Sequence, residues 1–121
     1  ETVLNSELDV IFCFDSYEQV PFELIKKNLQ DNNKFKLILA YEPTWAIGTG
    51  ETASIDHIEE IHIKVKNTLS EYSLKNIPIL YGGSVNPSNS NEILSSANVD
   101  GVLVGGASTK IDQLLGIVNS I

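Results

Sequence analysis

Arginine is absent from this sequence: all 8 basic residues are lysine, against 16 aspartate and glutamate residues and a formal net charge of −8. Nucleic-acid interfaces need clustered cations against the phosphates, so this balance argues against a nucleic-acid partner. The overall charge also repels anions, so an anionic ligand would have to be held by local donors such as backbone N–H groups.

Long apolar runs and paired cysteines are absent as well. No apolar run approaches the roughly 20 residues that a bilayer-spanning helix needs, and no basic-then-apolar leader opens the chain, so we expect no membrane partner. The sequence begins at Glu1 without methionine, which we interpret as a piece of a longer protein. The single cysteine, Cys13, cannot form a disulfide within the chain, which favours a reducing, cytoplasmic location. Because Cys13 lies in an apolar run, we expect a small buried side chain rather than a nucleophile.

Short apolar runs alternate with amphipathic segments along the whole chain, and no change of composition marks a linker. The predicted strands cover residues 9–14, 36–42, 78–81 and 102–104. The predicted helices cover residues 20–30, 54–72 and 109–121, with a short one that begins at Asn86-Pro87 or Ser88 and ends at about Ala97. Residues 1–8 weakly suggest the end of an earlier helix, and residues 31–34 a polar turn. Such runs are typical of parallel strands covered on both faces. We therefore predict a single α/β domain, residues 1–121, built as either an open sheet or part of a barrel, with two bare edges.

Two of the predicted helices carry local signals. Ser54 stands directly before the longest amphipathic stripe and is the predicted N-cap of that helix. The last helix is predicted to bury its apolar positions Ile111, Leu114, Leu115 and Val118.

The residues with chemical potential stand where the predicted strands end. Glu42 follows the second strand, Gly82-Gly83-Ser84 the third, and Gly105-Gly106 the fourth. In parallel α/β proteins the working residues lie at the carboxyl ends of the strands. Glycine pairs let backbone N–H groups approach a ligand closely, and a helix that begins there favours an anion. We therefore predict a phosphate site at this edge, to which Ser84 adds a hydroxyl.

Glu42 is the candidate base. Pro43 restricts it to extended geometry, and a carboxylate closed off from water holds a proton more tightly, as a base acting on carbon next to a carbonyl must. The bland alternative is a surface glutamate in a salt bridge. The loop that follows favours the base, because Pro43 stiffens one hinge, Gly48 and Gly50 free the other, and Trp45 is a large apolar anchor between them. A loop with two hinges is typical of a lid.

Three motifs in this order, YEPTWAIGTG, YGGSV and DGVLVGGAS, resemble the C-terminal half of the triosephosphate isomerase family. The resemblance covers essentially the whole chain, and the first motif is highly specific. It implies four strands and four helices that form the C-terminal half of a (β/α)8 TIM barrel. It also implies the interconversion of dihydroxyacetone phosphate and glyceraldehyde 3-phosphate, in glycolysis and gluconeogenesis, with no metal and no organic cofactor.

The resemblance assigns roles to residues of this chain. Glu42 matches the base that moves a proton through an enediolate. The phosphate-binding positions are Gly48, Ser84, Gly105 and Gly106. The lid comprises an N-terminal hinge, a tip and a closing end, formed by Pro43, Thr44, Trp45, Ala46, Ile47, Gly48, Thr49 and Gly50. Tyr81 and Ser84 would hydrogen-bond the closed lid.

The chain departs from the family pattern at three places: Thr44 replaces a common valine or isoleucine, Asp15-Ser16 replaces a common Gly-Glu, and the helical segment that follows Ser16 is shortened. We expect these changes to lie away from the proton chemistry. His57 and His62, inside the long helix, are predicted to be surface or helix-packing residues.

The family's lysine, asparagine and electrophilic histidine belong to the N-terminal half. We therefore expect negligible activity from the chain alone. The implied partners are a triose phosphate, a complementary N-terminal half-barrel and, as usual in the family, a second subunit of a homodimer. A non-catalytic phosphate-binding half-barrel and a fragment that self-associates through its edges remain alternatives.

Overall fold

One parallel sheet organises the chain, which a computed structural model describes over residues 8–31 and 36–121. Its strands are β1 (Val10–Phe14), β2 (Leu37–Tyr41), β3 (Ile79–Tyr81) and β4 (Gly101–Val102), and the helices that follow them are α1 (Phe22–Asp31), α2 (Ile55–Glu71), α3 (Ser90–Leu94) and α4 (Ile111–Val118). The strands lie side by side in chain order, β1-β2-β3-β4, all parallel. Among the described strands, spatial order follows chain order without a reversal, as in a barrel and unlike a doubly wound open sheet. The predicted α/β half-barrel is confirmed.

The core lies on one face of this sheet. Alternate strand residues such as Leu39, Tyr41, Ile79 and Tyr81 are fully buried against the apolar stripe of α2 and its neighbours. As predicted, Ser54 caps α2, because its hydroxyl accepts a hydrogen bond from the N–H of His57 at 3.3 Å. Successive side chains of a strand point to opposite faces of the sheet, so alternate residues are the ones expected to pack against a helix.

The opposite face of the sheet is open, so the prediction of strands covered on both faces is wrong for the described chain. Ile11 is 49% exposed and Cys13 is exposed, while Ile38 and Leu80 are half-buried. None of these side chains belongs to the buried core. Among the described residues, no element covers these apolar side chains.

The last helix also differs from its prediction. Ile111 is 73% exposed, Leu115 is 51% exposed, and Leu114 and Val118 are exposed as well. Only Ile117 is buried among the residues of α4. The predicted apolar face exists, but no element of the described chain lies against it.

The observed elements are mostly shorter than predicted. α3 spans only Ser90–Leu94 because side chains close the preceding turn: Asn86 Oδ1 accepts from the N–H of Ser88, and Asn89 Oδ1 from the N–H of Asn86, both at 2.8 Å. Short 3-10 turns precede α1 and α4, at Tyr17–Gln19 and Gly106–Thr109. The helix end predicted over residues 1–8 and the turn over 31–34 fall largely outside the described residues. Within those residues, no helix is long and apolar enough to cross a membrane.

Candidate active site

A cavity of about 460 Å³ opens at the carboxyl ends of the strands. Its wall includes all five residues that the sequence predicts for the base and the phosphate site, which are Glu42, Gly48, Ser84, Gly105 and Gly106. Ile47 and Gly50 of the predicted lid also line it. Asn86 and Gln113, which the sequence did not single out, also line this wall. Their position after the third strand and in the last helix was the available signal.

Glu42 is the first residue beyond β2, and its N–H donates to the carbonyl of Phe14 at 2.8 Å, which continues the β1–β2 ladder. Its half-buried side chain lies over Gly82. A Cβ at Gly82 would stand 2.5 Å from Cγ and 2.8 Å from Oε1 of Glu42, so only glycine leaves room for the carboxylate there. In the described part of the chain Glu42 forms no ion pair, unlike the exposed Lys66–Asp100 pair.

Cys13 lies close to the same carboxylate. The expectation that its side chain is buried is wrong. The residue is exposed on the open face of the sheet. Partial burial of the thiol, a hydrogen bond to Glu42 and the negative charge of Glu42 raise its pKa to about 11. A thiol with such a pKa stays protonated at neutral pH, which makes it a hydrogen-bond donor to Glu42 and a poor nucleophile.

The lid comprises residues 43–50, and its start is held by Asp15, the residue that follows β1. Pro43 is buried, and residues Thr44–Ala46 form a single 3-10 turn. The Asp15 carboxylate accepts from the N–H of Thr44 at 3.1 Å and from its hydroxyl at 3.0 Å. Asp15 and Thr44, two departures from the family pattern, therefore contact each other, and neither is among the residues that line the cavity. Their expected distance from the proton chemistry stays a prediction.

The Ser84 side chain, after β3, holds the rest of the lid. Its hydroxyl donates to the carbonyl of Ala46 at 2.6 Å and accepts from the N–H of Gly50 at 3.1 Å. The Tyr81 hydroxyl, from a fully buried ring, accepts from the N–H of Ala53 at 2.9 Å, so it holds the segment just beyond the lid rather than the lid itself. The lid thus lies seated on the strand exits, with Gly48 turned to the cavity wall.

The sequence predicts Trp45 as the apolar anchor of the lid, but other residues of the lid are more deeply buried. Trp45 is 48% exposed, and the fully buried members are Pro43 and Ala46, so the anchor is not mainly the indole. Thr49 braces the turn, because its hydroxyl donates to the carbonyl of Trp45 at 3.0 Å. Gly48 and Gly50 adopt φ angles of 65° and 79°, in the left-handed region that favours glycine.

The side of the cavity where the sequence predicts a phosphate site is formed by the backbone after β4. Gly105 precedes the 3-10 turn Gly106–Thr109, whose first N–H groups have no acceptor within the turn. Ser84 contributes less than the sequence suggests in this arrangement, because its N–H also donates to Ala46, at 3.0 Å. The N–H groups near Gly105 and Gly106 are therefore the donors best placed for an anion.

Neither histidine lines the cavity. His57 Nε2 pairs with the Tyr41 hydroxyl at 2.9 Å. His62 is fully buried in α2, with Nδ1 3.0 Å from the carbonyl of Asn98 and no partner for Nε2 among the described residues. Burial lowers the pKa of His62, against the opposing effect of the Asn98 hydrogen bond. His62 is thus a packing residue between α2 and the segment before β4.

No three His, Cys, Asp or Glu side chains of residues 8–31 and 36–121 are grouped as a metal site would require.

Comparison with known proteins gives one family. A family model described as triosephosphate isomerase matches residues 1–121. The triosephosphate isomerase of Flavobacterium psychrophilum is 41% identical over 137 aligned positions, covering 100% of this chain and 55% of the relative. The enzyme of Porphyromonas gingivalis is 42% identical over 97% of this chain and 53% of the relative. That of Lactobacillus delbrueckii subsp. bulgaricus is 51% identical over 69% of this chain and 35% of the relative. The chain spans about half the length of the first two of these curated relatives. The chain belongs to the triosephosphate isomerase family.

Proposed function

We propose that this chain supplies the base and the phosphate site of a triosephosphate isomerase, as the C-terminal half of its barrel. The observation that carries the proposal is one cavity whose wall holds the Glu42 carboxylate together with Gly48, Gly105 and Gly106. A triose phosphate has a carbonyl-bearing carbon chain and a phosphate at its two ends, which matches a base and a set of N–H donors facing one space.

In this proposal Glu42 takes a proton from the carbon next to the substrate carbonyl and returns it to the neighbouring carbon, through an enediolate. The reaction moves protons only, so it needs no metal and no organic cofactor. Cys13 donates its hydrogen bond to the carboxylate and orients it. The seated lid excludes water, which protects an enediolate phosphate from losing its phosphate.

The cavity wall also indicates what the chain lacks. No lysine and no histidine is among the described residues that line it. An enediolate needs a donor or a cation at the carbonyl oxygen, because charge develops there in the transition state. We assign that donor to a complementary N-terminal half-barrel. The open sheet face around Ile11 and the exposed face of α4 support such a partner, since both present apolar side chains to solvent.

The test combines this chain with the segment of the Flavobacterium psychrophilum relative that precedes its match to the chain. We expect glyceraldehyde 3-phosphate turnover from the co-expressed pair and negligible turnover from either piece. Glu42→Gln in the pair should lower kcat by at least about 100-fold, because the base is lost. A matched control, Glu51→Gln, removes an exposed carboxylate from the same stretch and should leave kcat unchanged. A pair that forms a stable complex and isomerises equally well with Glu42→Gln would contradict the proposal.

Two other outcomes correspond to the alternatives. Binding of glycerol 3-phosphate without turnover in the assembled pair would indicate a phosphate-binding half-barrel. A concentration-dependent rise in mass of the chain alone, by sedimentation, would indicate self-association through the edges of β1 and β4. The cytoplasmic location, the part in glycolysis and the homodimer of the assembled protein follow from the same proposal.

A further inference from the structure

The lid is fastened at its start by a side chain from a different strand exit. Asp15 follows β1, and its carboxylate binds the N–H of Thr44 through Oδ1 and the Thr44 hydroxyl through Oδ2, at 3.1 and 3.0 Å. The two residues are 29 positions apart in the sequence. Each is also a position at which the chain departs from the pattern that it otherwise resembles.

The 3-10 turn of the hinge needs such a partner. Thr44 is its first residue, so the N–H of Thr44 has no acceptor within the turn. The residue before it, Pro43, makes no side-chain cap. Asp15 therefore performs the function of an N-cap from outside the segment, with a charged acceptor that strengthens both hydrogen bonds.

Asp15 is itself held in place. Its backbone N–H donates to Gln19 Oε1 at 2.9 Å. The preceding residue, Phe14, is 1% exposed and accepts the hydrogen bond from the N–H of Glu42. The exits of β1 and β2 are thus locked side by side, and the carboxylate reaches the hinge two residues beyond the proposed base.

We propose that Asp15 is a positioning residue that holds the N-terminal hinge of the lid in its seated position. Ser84 holds the middle of the same lid, so the two attachments act on one segment. Loss of the Asp15 attachment loosens the hinge and withdraws Gly48 from the cavity wall. Its effect on phosphate binding rests on the proposed function; its effect on the hinge does not.

Trp45 is a reporter for both effects, because it is the only tryptophan, directly follows Thr44 and is about half exposed. Acrylamide quenching of Trp45 measures the hinge in the ligand-free chain, and titration with glycerol 3-phosphate measures phosphate binding. We expect Asp15→Ala to raise quenching and to weaken binding about threefold to tenfold, the effect of losing one or two exposed hydrogen bonds. Asp15→Asn and Thr44→Val should each have a smaller effect, since each keeps one of the two contacts.

The double variant Asp15→Ala with Thr44→Val tests whether the two side chains act through their mutual contact or loosen the hinge independently. It should behave as Asp15→Ala alone, because the Thr44 hydroxyl has then no carboxylate to bind. Glu18→Ala is the matched control, since it removes an exposed carboxylate from the adjoining turn. Urea unfolding followed by far-UV circular dichroism verifies that each variant is folded.

Quenching in Asp15→Ala equal to that of the unmodified chain and of Glu18→Ala would overturn the proposal. Additive effects in the double variant would overturn it too, since the two side chains would then not act through each other. If Asp15→Ala does not fold, acrylamide quenching of Asp15→Asn and Thr44→Val is compared with that of the unmodified chain and Glu18→Ala. Quenching equal to both of these would overturn the proposal. If the assembled pair binds no glycerol 3-phosphate while Asp15→Ala still raises quenching in the chain, the hinge role holds and the proposed function fails.

Discussion

Replacing Glu42 by Gln changes the titration of Cys13, and the effect can be measured without any catalytic activity. The thiol has a pKa of about 11 instead of 9.0, through partial burial first and the hydrogen bond and charge of Glu42 second. At pH 8 a pKa near 11 leaves about 0.1% thiolate, whereas a pKa near 9 gives about 10%. Since burial remains in the variant, we expect a pKa between these two values. Alkylation at pH 8 should therefore accelerate about threefold to tenfold, because the thiolate is the reactive form.

The assay is alkylation by iodoacetamide followed by intact mass between pH 7 and 10, and one cysteine per chain makes the stoichiometry unambiguous. Glu51→Gln is the control, because that exposed carboxylate does not contribute to the pKa of Cys13. Superimposable pH profiles for Glu42→Gln and the unmodified chain would refute the reasoning. They would mean that the carboxylate does not face the thiol, and the orientation proposed for the base would fail with it.

Three further predictions follow from contacts around the site and the core. Gly82→Ala should displace the Glu42 side chain, because its Cβ would lie 2.5 Å from Glu42 Cγ; the same alkylation assay should then show faster reaction. The free energy of unfolding should fall below pH 6.5 by up to about 1.4 kcal/mol per pH unit, because burial lowers the pKa of His62 and the unfolded chain then binds the extra proton. His62→Gln should flatten that dependence in urea unfolding, and an unchanged slope would contradict the assignment. Tyr81→Phe should cost about 1 kcal/mol in the same measurement, because the buried N–H of Ala53 loses its acceptor.

The fold was largely predictable because its determinants are local and periodic. Short apolar runs ending in charged or glycine residues marked all four strands, and Ser54 before a helical stripe marked the start of α2. The ends of the elements were less predictable, since side-chain hydrogen bonds decide them. The turn closed by Asn86 and Asn89 is one example: nothing in the periodicity of residues 86–97 distinguishes it from the helix that follows.

The candidate site was predictable as a set of residues but not as a set of contacts. Glycine pairs and a carboxylate at strand exits meet at one edge of any parallel sheet, so the shared cavity followed from topology. The Asp15–Thr44 contact did not, because it depends on the register that pairs Phe14 with Tyr41 and on a rotamer of a short acidic side chain. Cys13 was misjudged for a related reason: an apolar run does not reveal which of its alternate residues faces the core.

The two errors about burial have one physical explanation. Ile11 lies on the open face of β1, the first edge strand of the sheet. Ile111 and Leu115 lie on α4, the helix that follows β4, the other edge strand. Exposed apolar side chains therefore occur near both edges of the sheet. A partner that paired only with the edge of β1 would leave the other end exposed. A partner that pairs with β1 and β4 together must close the sheet, and with four further strands the interior becomes just wide enough for side chains to fill. The proposed complementary half-barrel would meet this requirement, because it would bury Ile11 and complete the cavity around Glu42 in one assembly step.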